Sequence, residues 1–404
     1  MNVQSLQRAD RWLGVPLCFL LTLWRRIFDW RREPLTPPRR LLVVKFAEQG
    51  STVLAHTALR RAGEIVGREN VFFVCLADNR FILDALALVP TANVITVPQD
   101  GPLAFGRGMW TALRTVRRLK IDTVVDMEFF SRGTAAFAFL TGARRRVGFH
   151  AFFAAGPYRG NLLTHRLLYN PHQHTTEAFY CLVEATLKKA DVLPTFDLRP
   201  AAVCDVEPPR FAPGAEEVAA VQAMLPDAAG KCPPLILLNP NASDLLPLRR
   251  WPVERYVTLA RRLLENFPAA HVVFTGGLNE ATATAELARQ VGHARCCSLA
   301  GRTTLRQLLV LYTLAEVLVT NDSGPAHFAV LTPVRTVTLF GPETPTLFAA
   351  RTPRNTPLWV GLACSPCVNA FNNRQSSCRD NICMQAISVE QVFAAVVQAY
   401  GQRI

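Results

Sequence analysis

Apolar residues in this chain come in two alternating rhythms. Short unbroken runs at Leu41–Val44, Val71–Leu76, Val94–Val97 and Thr123–Met127 have the character of strands buried on both faces of a parallel sheet. Between them, helical spacing predicts helices from about Thr52 to Ala62, at Phe81–Leu88 and at Gly108–Leu119. Phe137–Ala143 and Arg144–Phe149 add a helix–strand step, and Thr175–Ala190 is an amphipathic helix. The pattern breaks over Pro194–Pro234, where eight prolines fall, and then restarts. Leu235–Asn239, His271–Thr275, Val317–Thr320 and Val334–Phe340 read as strands, and Val253–Asn266, Glu280–Val291, Leu305–Ala315 and Ser388–Gln402 as helices. Strands alternating with helices predict an α/β chain of two Rossmann-like, doubly wound domains, with the proline-rich stretch as boundary. Two such domains facing across a cleft place ligands at the carboxyl ends of their strands.

The first 38 residues follow a different rule. Trp12–Trp24 is apolar apart from Thr22 and is followed by Arg25, Arg26, Arg31 and Arg32. A spanning helix needs about 20 apolar residues, so this run is too short. The arginines take the place of a signal-peptide cleavage site. Tryptophans flanked by arginines predict a helix lying in the headgroup region of an anionic membrane, over residues 8–32; packing on the protein's own body is the alternative. Composition supports the first reading. The chain carries a formal charge of +13, and residues 1–40 hold eight Arg against Asp10, Asp29 and Glu33. Such charge favours acidic partners. Nucleic acid is not among them, because no aromatic-rich binding face or nucleic-acid motif accompanies the charge.

The chemistry concentrates in Val319–Ala329, which reads strand, turn, helix. Asp322 and Ser323 precede a helix opened by Gly324 and Pro325, where backbone N–H groups favour an anion and the carboxylate can take sugar hydroxyls. Gly324 suits a turn conformation that side chains resist. An ordinary N-cap is the competing explanation. Two more strand ends carry similar material. Asn239–Ser243 offers Asn241 and Ser243 to a phosphate, with Arg249 or Arg250 to neutralise it. In Thr275–Glu280, Gly276 and Gly277 admit a nucleotide close to the backbone, and Glu280 can hold a ribose hydroxyl pair; a capped strand–helix turn explains the same residues.

Taken in order, NPNAS, RRWP, FTGG, LAGRTTL and VTNDSGPAHFA, with the earlier VVKFAEQGSTVLAHTAL and LTGARRRVGFH, resemble glycosyltransferase family 9, the ADP-heptose:lipopolysaccharide heptosyltransferase-like enzymes. The resemblance spans roughly residues 40–400 and implies the two-domain GT-B fold. It further implies inverting, metal-independent transfer of a sugar, most simply heptose from ADP-heptose, to a lipopolysaccharide-type or other cell-surface glycan, with no cofactor required. The setting implied is cytoplasmic, peripheral to the inner face of a bacterial inner membrane. By position in the motifs, Asp322 matches the aspartate on the donor sugar, and Ser323, Gly324 and His327 its neighbours at the diphosphate. Arg249 falls where relatives often place a phosphate-binding lysine, Ser243 near the phosphates and Thr303 near base or ribose. Relatives carry Gly-Asp in the first loop, the aspartate being the presumed base; here Gly50-Ser51 stands instead. Serine is a poor base near neutral pH, so Glu48, three residues earlier, is expected to take the proton while Ser51 positions acceptor or phosphate. His56 is a third candidate. The run Arg144, Arg145 and Arg146 is expected to meet an anionic glycan or glycolipid acceptor.

These readings divide the chain into a basic leader (1–38), an acceptor domain (39–205), a nucleotide-sugar donor domain (206–387) and a last helix (388–404) that in GT-B folds crosses back to the first domain. A same-fold enzyme using another nucleotide sugar is the nearest rival. A non-catalytic sugar-nucleotide or glycan binder is the next. Cys364, Cys367, Cys378 and Cys383 are compatible with a structural zinc site, with disulfides, or with reduced thiols in a loop.

Overall fold

The computed structural model describes residues 10–28, 36–46, 48–151, 157–190, 207–226, 232–242, 246–372 and 374–402. The chain forms two compact units, Met1–Val206 with Asn369–Arg374, and Glu207–Val368 with Gln375–Ile404.

In the first unit, β1 (Leu41–Val44), β2 (Val71–Leu76), β3 (Val94–Val97), β4 (Thr123–Asp126), β5 (Arg145–Phe149) and β6 (His165–Leu167) make one sheet in the order β3-β2-β1-β4-β5-β6. Every pairing is parallel. β1 is buried along its whole length because both faces are covered. Leu41 and Val43 pack with Ala55, Ala58 and Phe179 on one side. Leu42 and Val44 pack with Ala112, Val116 and Phe137 on the other. Strand order reverses between β1 and β4, the position at which doubly wound sheets bind ligands. The predicted helix Thr52–Ala62 is two helices, Gln49–Leu54 and His56–Val66, parted at Ala55.

The leader helix, Gly14–Phe28, belongs to this unit. Its inner face is a stripe of small residues, Gly14, Cys18 and Thr22, all buried. That stripe allows close approach: a Cβ on Gly14 would lie 2.7 Å from the Arg132 Cβ, and one on Gly160 2.7 Å from the Cys18 carbonyl oxygen. Polar contacts complete the join. Asn161 N donates to Thr22 Oγ1 (2.9 Å), Arg25 Nη1 donates to the Leu163 carbonyl (3.0 Å), and Asp10 accepts from Gly133 N (2.6 Å). The outer face is apolar, with Trp12, Phe19, Leu20, Trp24 and Phe28 each more than half exposed. Self-packing and an unpartnered apolar face, weighed as alternatives above, therefore coexist on one helix. Among the described residues no helix is long and apolar enough to cross a membrane.

In the second unit, β7 (Leu235–Asn239), β8 (His271–Phe274), β9 (Cys296–Ser298), β10 (Ala315–Asn321), β11 (Arg335–Phe340) and β12 (Asn355–Trp359) form a second parallel sheet, ordered β12-β11-β10-β7-β8-β9. Its order reverses between β10 and β7. The last helix, Val389–Ala399, expected to cross back, belongs with the second unit. Its apolar side (Val392, Ala395, Val396, Ala399) joins the core of the second unit with Leu259, Leu263, Val317 and Val337. The residues that do belong to the first unit are the earlier Asn369–Arg374.

Candidate functional site

The second reversal point gathers most of the predicted donor residues. β10 ends at Asn321, whose buried amide fixes the neighbouring strand end. Its Nδ2 donates to the carbonyls of Pro240 (3.0 Å) and Asn241 (3.2 Å), and its Oδ1 accepts from Trp251 N (3.2 Å). Asn241 in turn donates through Nδ2 to the Thr275 carbonyl (3.1 Å), reaching the end of β8. Three loops are thus pinned to one another around the backbone of Asp322. Asp322 is 2% exposed, with its N–H on the Leu339 carbonyl (2.9 Å).

Arg249, expected at a phosphate, approaches this carboxylate instead, Nε to Oδ2 at 3.5 Å. Its Nη2 lies 2.8 Å from Oε2 of Glu343, another buried acid. Glu343 escaped the sequence reading. The available signal was position, since Gly341-Pro342-Glu343 follows β11 as Asp322 follows β10. One guanidinium between two buried carboxylates gives all three a charge partner and keeps Asp322 oriented.

Ser323 does not cap the following helix, Gly324–Ala329, through its side chain; its hydroxyl donates to the Asn321 carbonyl (3.2 Å). Ordinary side-chain capping therefore does not explain Ser323. Gly324 is absent from the positive-φ glycines among the described residues, so the turn does not need it for conformation. Space is the reason: a Cβ there would sit 3.2 Å from the Phe328 ring. His327 is buried on the same short helix.

At β8 the glycine pair lies beside Asn241 and Glu280. A Cβ on Gly276 would come within 2.5 Å of Asn241 Nδ2, so the backbone there admits no side chain without moving the loop. Glu280 Oε2 accepts from Gly277 N (2.7 Å), which makes it the cap of its own turn, in place of the ribose contact expected above. Thr303 is half-buried in the turn ahead of the helix Leu305–Leu314, close in sequence to Gly301, whose N–H reaches the Gly276 carbonyl (3.0 Å). Arg250 donates to the Ala242 carbonyl (3.0 Å) and holds the backbone that follows β7. Ser243 lies outside the described residues.

The first unit has its own polar centre where β1 and β4 end side by side. Glu48 sits in the left-handed region (φ 66) at the start of Gln49–Leu54. Ser51 Oγ lies 3.2 Å from its Oε2 and 3.0 Å from its carbonyl oxygen, and Arg374 Nη1 is ion-paired with its Oε1. Serine and glutamate therefore meet, as expected; Arg374 was not foreseen, being 326 residues away. His56 is buried, its ring held by the Val53 carbonyl and Thr57, which removes it as a base. Lys45, fully buried at the end of β1, places Nζ 3.7 Å from Glu128 Oε2. Below these, Asp126 and Arg159 form a fully buried pair. Thr134 Oγ1 donates to the Asp126 carboxylate (2.8 Å), and Arg159 Nη1 to the Phe149 carbonyl (2.7 Å).

The Arg144–Arg146 run, expected to meet the acceptor, does not gather at this polar centre. It stands at the amino end of β5, opposite to the edge just described. Arg145 is buried with Nη2 on the Thr36 carbonyl (3.2 Å), and Arg146 with Nε on the Leu162 carbonyl (2.7 Å). Backbone carbonyls accept from both guanidiniums, and Arg144 remains exposed beside them. Among the described residues no cluster of three or more Cys, His, Asp or Glu is arranged to hold a metal ion. Burial raises the Cys383 thiol above its ordinary value, with Cys367, Cys378 and Cys364 adding to the effect. Cys378 Sγ, however, donates to the Asp380 carbonyl (3.0 Å), and Cys364 is exposed. That arrangement does not fit a four-thiolate zinc centre.

With this geometry in view, a comparison with known families is decisive. Residues 109–376 match the model for glycosyltransferase family 9 (heptosyltransferase). The chain belongs to glycosyltransferase family 9. Lipopolysaccharide heptosyltransferase 2 of Salmonella typhimurium is 35% identical over 115 residues, 28% of this chain and 32% of that protein. The matched stretch thus spans about a third of that relative's length. Among solved structures, ADP-heptose lps heptosyltransferase II of Escherichia coli is similar, at 19% identity and TM-score 0.65, over 89% of this chain and 98% of the other. The E. coli heptosyltransferase WaaC with ADP-2-deoxy-2-fluoro heptose superposes at 16% identity and TM-score 0.58, over 89% of this chain and 99% of that one. At such identities these likenesses speak to the fold, which is that of the GT-B heptosyltransferases.

Proposed function

We propose that this family 9 member transfers heptose from ADP-heptose, with inversion and without a metal, to a lipopolysaccharide-type or other cell-surface glycan. The observation that carries the reading is the buried Asp322 at the β7/β10 reversal, oriented by Arg249 and surrounded by three mutually pinned loops. A carboxylate so placed accepts hydroxyl hydrogen bonds from a sugar, while a guanidinium at its side steadies the departing diphosphate. The acceptor hydroxyl attacks the sugar's anomeric carbon, its proton passes to Glu48, and the nucleoside diphosphate leaves with the bonding pair. Ser51 holds the Glu48 carboxylate in place. The neighbouring relative of known name and the ADP-sugar complex of the same fold support this choice of donor. The test is calorimetry and nucleotide release with ADP-heptose, UDP-glucose and GDP-mannose. Preference for ADP-heptose, lost in Asp322→Ala, is expected; a UDP- or GDP-sugar preference would move the chain to the rival donor class. Binding without release under any acceptor would favour a non-catalytic binder.

We further place the reaction at the inner face of a bacterial inner membrane, with the leader meeting the lipid surface. Eight large apolar residues between Val15 and Phe28 are exposed on a helix that is otherwise docked on the first unit, with Trp12 and Leu13 exposed just before it and exposed Arg11 and Arg26 beside them. Co-sedimentation with vesicles rich in phosphatidylglycerol, and loss of it in Trp24→Glu with Phe28→Glu, tests this. Retention of binding in that variant would rule the helix out.

A further inference from the structure

We infer that Arg374 is a substrate-displaced clamp on Glu48, and that the group displacing it is a carboxylate or phosphate on the acceptor. This rests on the proposal that Glu48 is the base. The clamp is built with some care. Asn369–Arg374 belongs to the first unit while the chain on either side belongs to the second. Ala370 is buried in the first unit's core, and Phe371 packs on Phe130 (5.5 Å) and Tyr169 (5.4 Å). A firm mount therefore carries Arg374 to its partner. Both ends of the ion pair, Glu48 (φ 66) and Arg374 (φ 55), are in left-handed backbone, two of five such non-glycine residues among those described. Strain of that kind persists where the surroundings enforce it, and it collects at functional and switching positions.

The pair is also reachable. The Arg374 and Glu48 side chains are 21% and 29% exposed, unlike the sealed Asp126–Arg159 pair beneath. The Arg374 guanidinium lies 5.8 Å from the Phe129 ring centre, a face along which it can shift without losing its apolar support.

The chemistry follows from the contacts. A carboxylate that accepts from both a guanidinium and a serine hydroxyl is stabilised in its charged form and is a weak proton acceptor. Glu48 is thus restrained while Arg374 holds it. An anionic group on the acceptor competes for the same planar fork of donors and offers a bidentate partner. When it takes Arg374, the acceptor is anchored and one Glu48 oxygen is released in the same event. The acceptor O–H proton then moves to that oxygen as the new C–O bond forms and the sugar–diphosphate bond breaks. The same restraint spares donor from water while no acceptor is present. Arg374 is in this sense a positioning and specificity residue that acts through Glu48.

The test uses the full chain with ADP-heptose and no glycan, reading nucleotide release, with donor affinity by calorimetry alongside. Wild type should release nucleotide slowly, and millimolar inorganic phosphate should accelerate it. Arg374→Gln should release about tenfold faster in the absence of phosphate and respond to phosphate no further. Arg374→Lys should restore much of the restraint. Adding Glu48→Gln to Arg374→Gln should return release to the background. Unchanged donor affinity with release at or below the wild-type rate in Arg374→Gln, or full phosphate stimulation surviving in it, would overturn the clamp and leave the donor assignment standing. Failure of wild type and variant alike to bind ADP-heptose would overturn the donor assignment itself, and the clamp with it.

Discussion

Arg249 illustrates how one side chain can have two duties that sequence alone merges. Its place in the motif suggested a phosphate ligand, yet it also lies between the buried carboxylates of Asp322 and Glu343. Removing this cation leaves two buried carboxylates uncompensated, which costs about 3–5 kcal/mol. Arg249→Met should therefore lower the urea midpoint as well as donor affinity. Combining it with Glu343→Gln should recover part of the stability but not the affinity; simple additivity in that cycle would deny the coupling. His150, just past β5, gives a pH signature. Burial, helped by Arg166 and Arg159, lowers its pKa from 6.5 to about 4. Between those values the unfolded chain binds the proton and the folded one does not. Its contribution to stability is therefore complete above about pH 6.5 and drains as pH falls toward 4. Melting of His150→Asn at pH 7 and pH 5 should show a smaller acid-induced drop than wild type.

At the scale of elements, the leader helix depends on its small inner face. Gly160 has φ +63 and lies against the Cys18 backbone, so Gly160→Ala meets both a steric and a conformational penalty. A loss of about 1–3 kcal/mol is expected, with changed tryptophan fluorescence as the helix is unseated. An unaltered melting curve would show the helix to be loosely docked. The same scale explains what the sequence disclosed. β1, β2, β4, β7, β8, β10 and β11 are central strands, buried along most or all of their length, and their unbroken apolar runs announced them. The strands missed, β6, β9 and β12, are edge strands. His165–Leu167 and Cys296–Ser298 have only three residues each, and Asn355–Trp359 contains Pro357, tolerated because an edge has one side unpaired. The carboxylate turn at Asp322 was legible because strand, acid, glycine and proline are consecutive. Arg374, Glu343 and Lys45–Glu128 were not, because each acquires meaning only from a neighbour distant in sequence.

For the molecule as a whole, two parallel sheets of six strands each place their polar centres at the reversal of strand order. The alternation of strand and helix predicted the two doubly wound sheets without any motif, but not their full strand number or order. Composition could not foretell the fate of the last helix, since an amphipathic face shows that a helix is covered but not by what. Phe371→Ala provides a check on the late segment: packed against Phe130 and Tyr169, it should cost about 2–3 kcal/mol and lower the first unit's melting transition. A shift confined to the other transition would contradict the assignment. Because Asn369–Arg374 is built into the first unit, no single scission of the polypeptide yields both halves intact. An N-terminal fragment ending in the proline-rich stretch would be made without the aromatic and the arginine that finish it. On the ribosome, too, that unit must wait until the second unit's strands have been made before its last pieces arrive.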